Sequence, residues 1–334
     1  MKARVSKNFW RDKNVLVTGS LGFLSSWLII DLLERGAGVT GLNDDYNPRS
    51  LLRLKGLEKK ICFIQGSITD YPAVERIFTQ YDIQVCFHLA AQTIEGACRR
   101  SPLTAFDTNI KGTWNMLEAA RNSRQNLESI VIASSDKAYG EQKELPYRED
   151  QELLGRFPYD ASKVCDEVIA QSYSRTFGLP VGITRCANIY GGGDFHWSRI
   201  VPGTIRSVLR NENPVIRSDG TPVRDYLYAE DAADAYITLA EAVAGGKAKG
   251  ESFNFSAEHH KSVLEIVKMI IAVSGKKNIR PDVQGKGKPY QEIDRQILSA
   301  AKAGKVLGWK AGYSLEEGLK KTFDWYVKYA AEYL

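Results

Sequence analysis

Short β-branched runs alternate with amphipathic stretches through the first half of the chain, and this alternation more than any other feature limits what the chain can fold into. "NVLVTG" is a buried strand, and "SSWLIIDLLERG" follows with apolar residues at helical spacing and Gly36 where a C-cap belongs. "GVTGLND", "ICFIQGSI", "VCFHLAA", "SIVIASS" and "PVGITRCANIYG" read as further strands. Between them, "TAFDTNIKGTWNMLEAARNS" and "DASKVCDEVIAQSYSRTFG" read as long helices, the second ending at Gly178. Strands separated by helices of this length cannot pair as hairpins; they need crossovers, which gives a parallel sheet with helices on both faces. After about residue 190 the pattern loosens into "GGGDFHWSRIVPG" and mixed elements. The expectation is an α/β fold, a Rossmann-type doubly wound parallel sheet over residues 1–187 with a returning segment near 225–250. Residues 188–334 then form mainly a smaller C-terminal substrate-binding lobe.

The first strand runs into "TGSLGFLSSWL", placing Gly19 and Gly22 in a turn before a helix. Glycines there let backbone N–H groups and the helix N-terminus approach a pyrophosphate. Ser25 stands where a third small residue permits close helix–strand packing. The second strand ends "GLNDDYNP", where an acid would accept hydrogen bonds from an adenosine ribose; Asp44 is the first choice, beside Asn43 and Asp45. Carboxylates repel a 2′-phosphate, so NAD is expected rather than NADP.

"PYDASK" puts Tyr159 and Lys163 four apart on one helix face. A nearby ammonium favours the phenolate, so Tyr159 is expected to have a lowered pKa and to act as an acid–base group. The upstream strand end "IASS" can offer a hydroxyl to the same oxygen.

The rest of the composition narrows the class. With 43% hydrophobic and 25% charged residues in 334, the chain can bury a large core, and no apolar run approaches the roughly 20 residues of a membrane span. No signal peptide is apparent, and a cytoplasmic location is expected. The net charge of +5 comes from 45 basic and 40 acidic residues interspersed along the chain, too weak a bias to suggest nucleic acid. Cysteines 62, 86, 98, 165 and 186 form no CxxC pair and read as reduced thiols. The four histidines have no metal-ligand spacing, so no metal is expected, and His259-His260 reads as a polar loop.

Together, "TGSLGFLSSWL", "FHLAAQT", "DTNIKGTWNMLEAAR", "SSDKAYG", "PYDASK", "RCANIYGGGD" and "RDYLYAED" stand in an order and spacing that resemble the extended short-chain dehydrogenase/reductase family, in its nucleotide-sugar epimerase/dehydratase branch. The likeness covers roughly residues 12–240. It implies an NAD that takes a hydride from the sugar C4 and returns one. Tyr159 would be the base at the 4-hydroxyl, Ser135 its hydrogen-bond partner, and Lys163 would tune Tyr159 and bind the nicotinamide ribose. Thr108 and Asn109 match the supporting helix position. The cofactor would lie on Gly19, Leu21, Gly22, Phe23, Leu24, Asp44, Ser67, Ile68, Leu89, Ala90, Ala91 and Asn109, with Tyr159 and Lys163. Two positions depart from the family pattern: Ser25 replaces the third glycine, and Ser67 stands where many members carry an adenine-contacting aspartate. The nucleotide sugar would meet Thr93, Asn188, Arg199 and Arg224, of which Arg224 should grip a phosphate bidentately and Arg199 could equally be a surface salt bridge. A homodimer through helices near 104–122 and 160–177 is also implied, although Trp114, Met116, Leu117, Val168, Ile169 and Tyr173 could equally be core.

In many dehydrating relatives the two residues after the catalytic hydroxyl are Asp-Glu. Here they are Asp136-Lys137, which resembles the Ser-Asp-Lys of CDP-glucose 4,6-dehydratases, as do "NFWRDKNVLVTG" and "NIYGGGD". The expectation is therefore a 4,6-dehydratase, with Asp136 as acid for the C6 hydroxyl and neutral Lys137 as base at C5. Alternatives are a 4-epimerase or UDP-glucuronate decarboxylase of the same family, and a non-catalytic NAD-binding regulatory protein. Lys137 is alternatively a turn residue or a cation that only orients the sugar.

Overall fold

A computed structural model describes residues 7–123, 126–286 and 293–329. Strands β1 (Asn14–Thr18), β2 (Gly38–Asn43), β3 (Cys62–Gln65), β4 (Val85–His88), β5 (Ser129–Ala133) and β6 (Val181–Cys186) alternate with helices. They are followed by β7 (Asn188–Tyr190), β8 (Val215–Ile216), β9 (Val223–Tyr228), β10 (Ser252–Phe255), β11 (His260–Ser262), β12 (Asp282–Val283) and β13 (Arg295–Gln296).

Seven strands form a sheet in the order β10-β6-β5-β4-β1-β2-β3, with every pair parallel. Side chains alternate across it as the pleat requires. Val15 and Val17 of β1 join a core with Leu28, Leu32 and Leu239, from helices Phe23–Glu34 and Ala229–Ala244. Leu16, between them, joins Val74, Ile77 and Met116 from helices Tyr71–Gln80 and Gly112–Asn122. The continuous apolar strand is thus covered on both faces, which is the doubly wound arrangement. Strand order reverses between β1 and β4, and in such sheets the crevice beyond the strand C-termini at that point is where ligands bind.

A single residue, Ala187, separates β6 from β7, so the second lobe hangs from the ligand-binding end of the sheet. Its core holds Tyr190, Val201, Ile205, Tyr226, Tyr228, Ile266, Ile270 and Leu319 around β9, which pairs with β7, β11 and β13. The chain returns to the large sheet through helix Ala229–Ala244 and β10.

The stretch read as one long helix near 104–122 is segmented. Pro102–Phe106 runs into a π-helical turn, Asp107–Lys111, before Gly112–Asn122. Asn109, inside that turn, accepts from the Gln92 N–H (2.7 Å) and donates to the Gln92 carbonyl (3.2 Å) and to Ser162 Oγ (2.8 Å). A widened turn at such a junction is a common device at functional sites.

Candidate active site

A cavity of about 800 Å³ opens at the point where the strand order reverses. It extends from the first glycine turn to Asn188, His196 and Arg199 of the second lobe.

One end is backbone. Gly19 sits at φ +64°, and a Cβ there would lie 3.0 Å from the Ala90 Cα. Glycine is favoured here by both the left-handed dihedral and the close approach to the Leu89–Ala90 backbone that follows β4. Gly22 caps helix Phe23–Glu34 with no side-chain hydrogen bond, leaving the helix N–H groups facing the cavity with Leu21, Phe23 and Leu24. Ser25 is buried in the same wall. Asn43 is occupied: it accepts from the Leu21 N–H (3.1 Å) and donates to the Asp45 carbonyl (3.0 Å) and carboxylate (2.6 Å). That leaves Asp44, exposed on the rim, as the acid free to meet a ligand. The Leu89 and Ala90 N–H groups donate to Thr18 Oγ1, at 3.1 and 3.0 Å, which squares the β4 end against the glycine turn. Thr18 is held by His88 Nδ1 at 2.9 Å, and His88 Nε2 meets Thr113 Oγ1 at 3.1 Å. Burial, then the Lys163 charge, pushes His88 down to about 3, so it is a neutral brace. Ile68, Leu89, Ala90 and Ala91 line the same end.

The other end carries titratable groups. Ser135 caps the 3-10 turn Asp136–Tyr139; its hydroxyl accepts from the Lys137 N–H (3.2 Å), donates to Asp136 Oδ1 (3.1 Å), and bonds to the Tyr159 phenol. Tyr159 does not have the lowered pKa expected from its neighbour. Burial raises it and outweighs the opposing pull of Lys163 and of the Ser135 bond, with Asp136 adding to the rise. Lys163 Nζ is turned to the Ala133 carbonyl (2.9 Å) and to Asp166 Oδ2 (3.0 Å). Burial pulls Lys163 down, but Asp166 and Tyr159 more than offset this and raise it, so Lys163 is a firm cation.

Asp136 is buried, and its Oδ2 has no hydrogen-bond partner among the described residues. Burial raises its pKa against the pull of Lys137, the Ser135 bond and Arg224. Lys137 Nζ lies 3.1 Å from Glu95 Oε1, and Arg99 Nη2 lies 3.8 Å from Glu95 Oε2. Asp160 is buried beside them, pushed up to about 6 by burial, with Lys137 opposing and Glu95 and Asp136 adding to the rise.

Several expected positions lie elsewhere. Ser67 turns to Thr69 Oγ1 (2.9 Å) and is not in the cavity wall, because its hydroxyl closes its own loop. Asn109 braces Gln92 and Ser162 instead of facing the cavity, where Thr108 does. Arg224 is buried, donates to the Val223 (2.9 Å) and Asp294 (3.3 Å) carbonyls, and is absent from the cavity wall. Thr93, Asn188 and Arg199 line the cavity. Arg199 is also ion-paired with buried Asp194 at 3.0 Å. Sequence reasoning missed Glu95, Gln92, Asp160 and His196. Asp160 stood inside "PYDASK", while Glu95 carried no local signal. Among the described residues no group of three acidic, histidine or cysteine side chains is placed to hold a metal, and no helix is long and apolar enough to cross a membrane.

The family model of GDP-mannose 4,6 dehydratase matches residues 16–322. The chain is 31% identical to dTDP-glucose 4,6-dehydratase 1 of Escherichia coli, over 94% of this chain and 92% of that one. It is 30% identical to CDP-glucose 4,6-dehydratase of Salmonella typhimurium, over 96% and 92%. Among solved structures, UDP-glucose 4-epimerase of Thermotoga maritima with UDP-glucose superposes with a TM-score of 0.86 at 30% identity, covering 94% of this chain and 99% of that one. dTDP-glucose 4,6-dehydratase of Bacillus anthracis in complex with NAD gives 0.82 at 26%, covering 95% and 97%.

Proposed function

The chain belongs to the extended short-chain dehydrogenase/reductase family of nucleotide-sugar dehydratases, and from that premise we propose that it converts a nucleotide-linked glucose, CDP-glucose in preference to dTDP-glucose, to its 4-keto-6-deoxy form. It is an enzyme of the dehydratase class, and NAD is its cofactor.

The residues present fit that cofactor: a turn where a Cβ at Gly19 would strike Ala90, an uncapped helix end for a pyrophosphate, and Asp44 free on the rim for a ribose. When bound, NAD supplies the oxidant for C4 and later the hydride for C6. In this reading the large sheet with its returning segment holds NAD, and the second lobe holds the nucleotide sugar. Tyr159, hydrogen-bonded to Ser135, takes the proton of the 4-hydroxyl as its phenolate, the form that the fixed charge of Lys163 favours against the burial that raises its pKa. Oxidation at C4 acidifies C5–H, and Asp136 and Lys137 flank the elimination of the C6 hydroxyl. Asp136 gives its proton to the departing oxygen.

The observation that carries the reading is Asp136. Its buried carboxyl has one oxygen without a hydrogen-bond partner among the described residues and a raised pKa beside the Ser135–Tyr159 pair, the condition of a carboxylic acid held ready to donate. The preference for CDP rests on "SSDK", since identities of 31% and 30% to the dTDP- and CDP-glucose enzymes do not separate them.

Purified enzyme should be incubated with CDP-, dTDP-, UDP- and GDP-glucose and followed by 4-keto absorbance in alkali and by NMR. A C6 methyl signal is expected, strongest with CDP-glucose, and its absence with all four would overturn the reading. The likeness to the Thermotoga epimerase favours a second reading, 4-epimerisation, which a C4 epimer without any methyl signal would establish.

We further infer a homodimer and a cytoplasmic setting. Leu103, Trp114, Val168 and Phe177 are exposed on neighbouring helices, and all five cysteines are unpaired, in keeping with a reducing compartment.

A further inference from the structure

The elimination needs a base at C5, and the group that follows Asp136 is a lysine. An ammonium must first shed a proton before it can take one from carbon, whereas a carboxylate accepts one directly. An amine that must shed a proton is ill served by a carboxylate 3.1 Å away, and that is what Lys137 has in Glu95. The other cation that could crowd it, Lys163, is turned to Asp166 and the Ala133 carbonyl. Glu95 comes from a different element, the turn after β4 that opens helix Glu95–Arg100, yet it lines the same cavity as Ser135, Asp136, Lys137 and Tyr159. Its carboxylate sits between two cations, Lys137 at 3.1 Å and Arg99 at 3.8 Å. Its side chain is 43% exposed and that of Lys137 18%, so the pair stands at the cavity mouth with Glu95 the more open to solvent.

Resting on the dehydratase reading, we propose that Glu95 is the base at C5 and that Lys137 remains a cation that holds it in place. The C5–H bond breaks, its proton goes to a Glu95 oxygen, and its electron pair forms the C4–C5 enolate, whose oxygen charge faces Lys137 and the Tyr159 hydroxyl. The C6–O bond then breaks as Asp136 gives its proton, releasing water. When hydride returns to C6, Glu95 hands its proton back to C5, and the proton that Tyr159 took from the 4-hydroxyl passes through the Ser135 hydroxyl to Asp136, so that each group ends the cycle as it began. The carboxylate that dehydrating relatives supply from the position after the aspartate is supplied here from across the cavity, with the lysine as its anchor. Asp160, itself buried, is close enough to feel both charges.

The test is single-turnover absorbance of enzyme-bound NADH with CDP-glucose and dTDP-glucose, together with deuterium content at C5 in heavy water. In Glu95→Gln, NADH should form within a few-fold of the wild-type rate, which also reports a folded site, while its decay and deuterium entry at C5 fall by about 100-fold or more. Adding Lys137→Glu to Glu95→Gln places a carboxylate back beside Asp136 and should recover at least about tenfold of the lost decay rate. Decay within a few-fold of wild type in Glu95→Gln, or no recovery in the double variant, overturns the assignment. Failure of wild-type enzyme to form NADH with either sugar nucleotide would instead remove the dehydratase reading beneath it.

Discussion

Asp136 and Lys137 are neighbours in sequence with opposite surroundings, and their chemistry follows from that difference. The carboxyl is buried beside Ser135, while the lysine reaches outward to Glu95. Asp136→Asn keeps the shape and removes the proton donor, so C4 oxidation should persist while 6-deoxy product falls by about 10² to 10⁴; parallel loss of both steps would deny Asp136 a separate role in elimination. A second carboxyl, Asp225, is pushed up to about 7 by burial, against its bonds from Ser256 and the Leu298 and His259 backbones and with Asp136 adding to the rise. Its folded value lies above the unfolded value of about 3.9, so the stability it contributes is complete below about pH 4 and is lost as pH rises toward 7. Asp160, at about 6, acts in the same direction. Denaturant midpoints should therefore fall between about pH 5 and about pH 7.5, and Asp225→Asn should flatten the slope. A variant slope as steep as wild type would place the titration elsewhere.

At the scale of elements, the glycine turn after β1 was legible because its constraint is local: a strand, a left-handed glycine and a helix follow one another within a few residues. Gly19→Ala should cost on the order of 1–3 kcal/mol in backbone strain, besides driving a Cβ toward Ala90, and should reduce the NAD that co-purifies. Undiminished NAD and an unchanged denaturation midpoint would show the turn to be more tolerant than its geometry implies. The helix near 104–122 was less legible. Its periodicity gave one continuous helix, but the π turn that aims Thr108 into the cavity and Asn109 toward Gln92 and Ser162 depends on partners 17 and 53 residues away. No local pattern carries such information. Tyr159 and Lys163 were legible as a pair on one helix face, yet the raised Tyr159 pKa was not, because burial beneath the surrounding elements outweighs the neighbouring charge.

For the whole molecule, the apolar residues of the helices at 104–122 and 160–177 divide. Met116 and Leu117 are core, Ile169 and Tyr173 pack partly against it, and Trp114 and Val168 stay exposed at 44% and 58%. Val168→Glu should convert a dimer to a monomer by light scattering with the fold retained in circular dichroism, since a charge in the centre of such a contact is costly. A wild-type chain already monomeric at micromolar concentration would end that proposal. The sequence by itself determined the α/β alternation, the glycine turn after β1 and the placing of Tyr159 and Lys163 on one helix face, because each rests on periodicity or on spacing within one element or turn. Only the tertiary structure decided that Asn43 ties down the glycine turn and leaves Asp44 free, that Ser67, Asn109 and Arg224 stand outside the cavity wall, and that Glu95 meets Lys137. Those outcomes depend on which side chains arrive together from separate strands and helices, and on how much water the packing removes from around them.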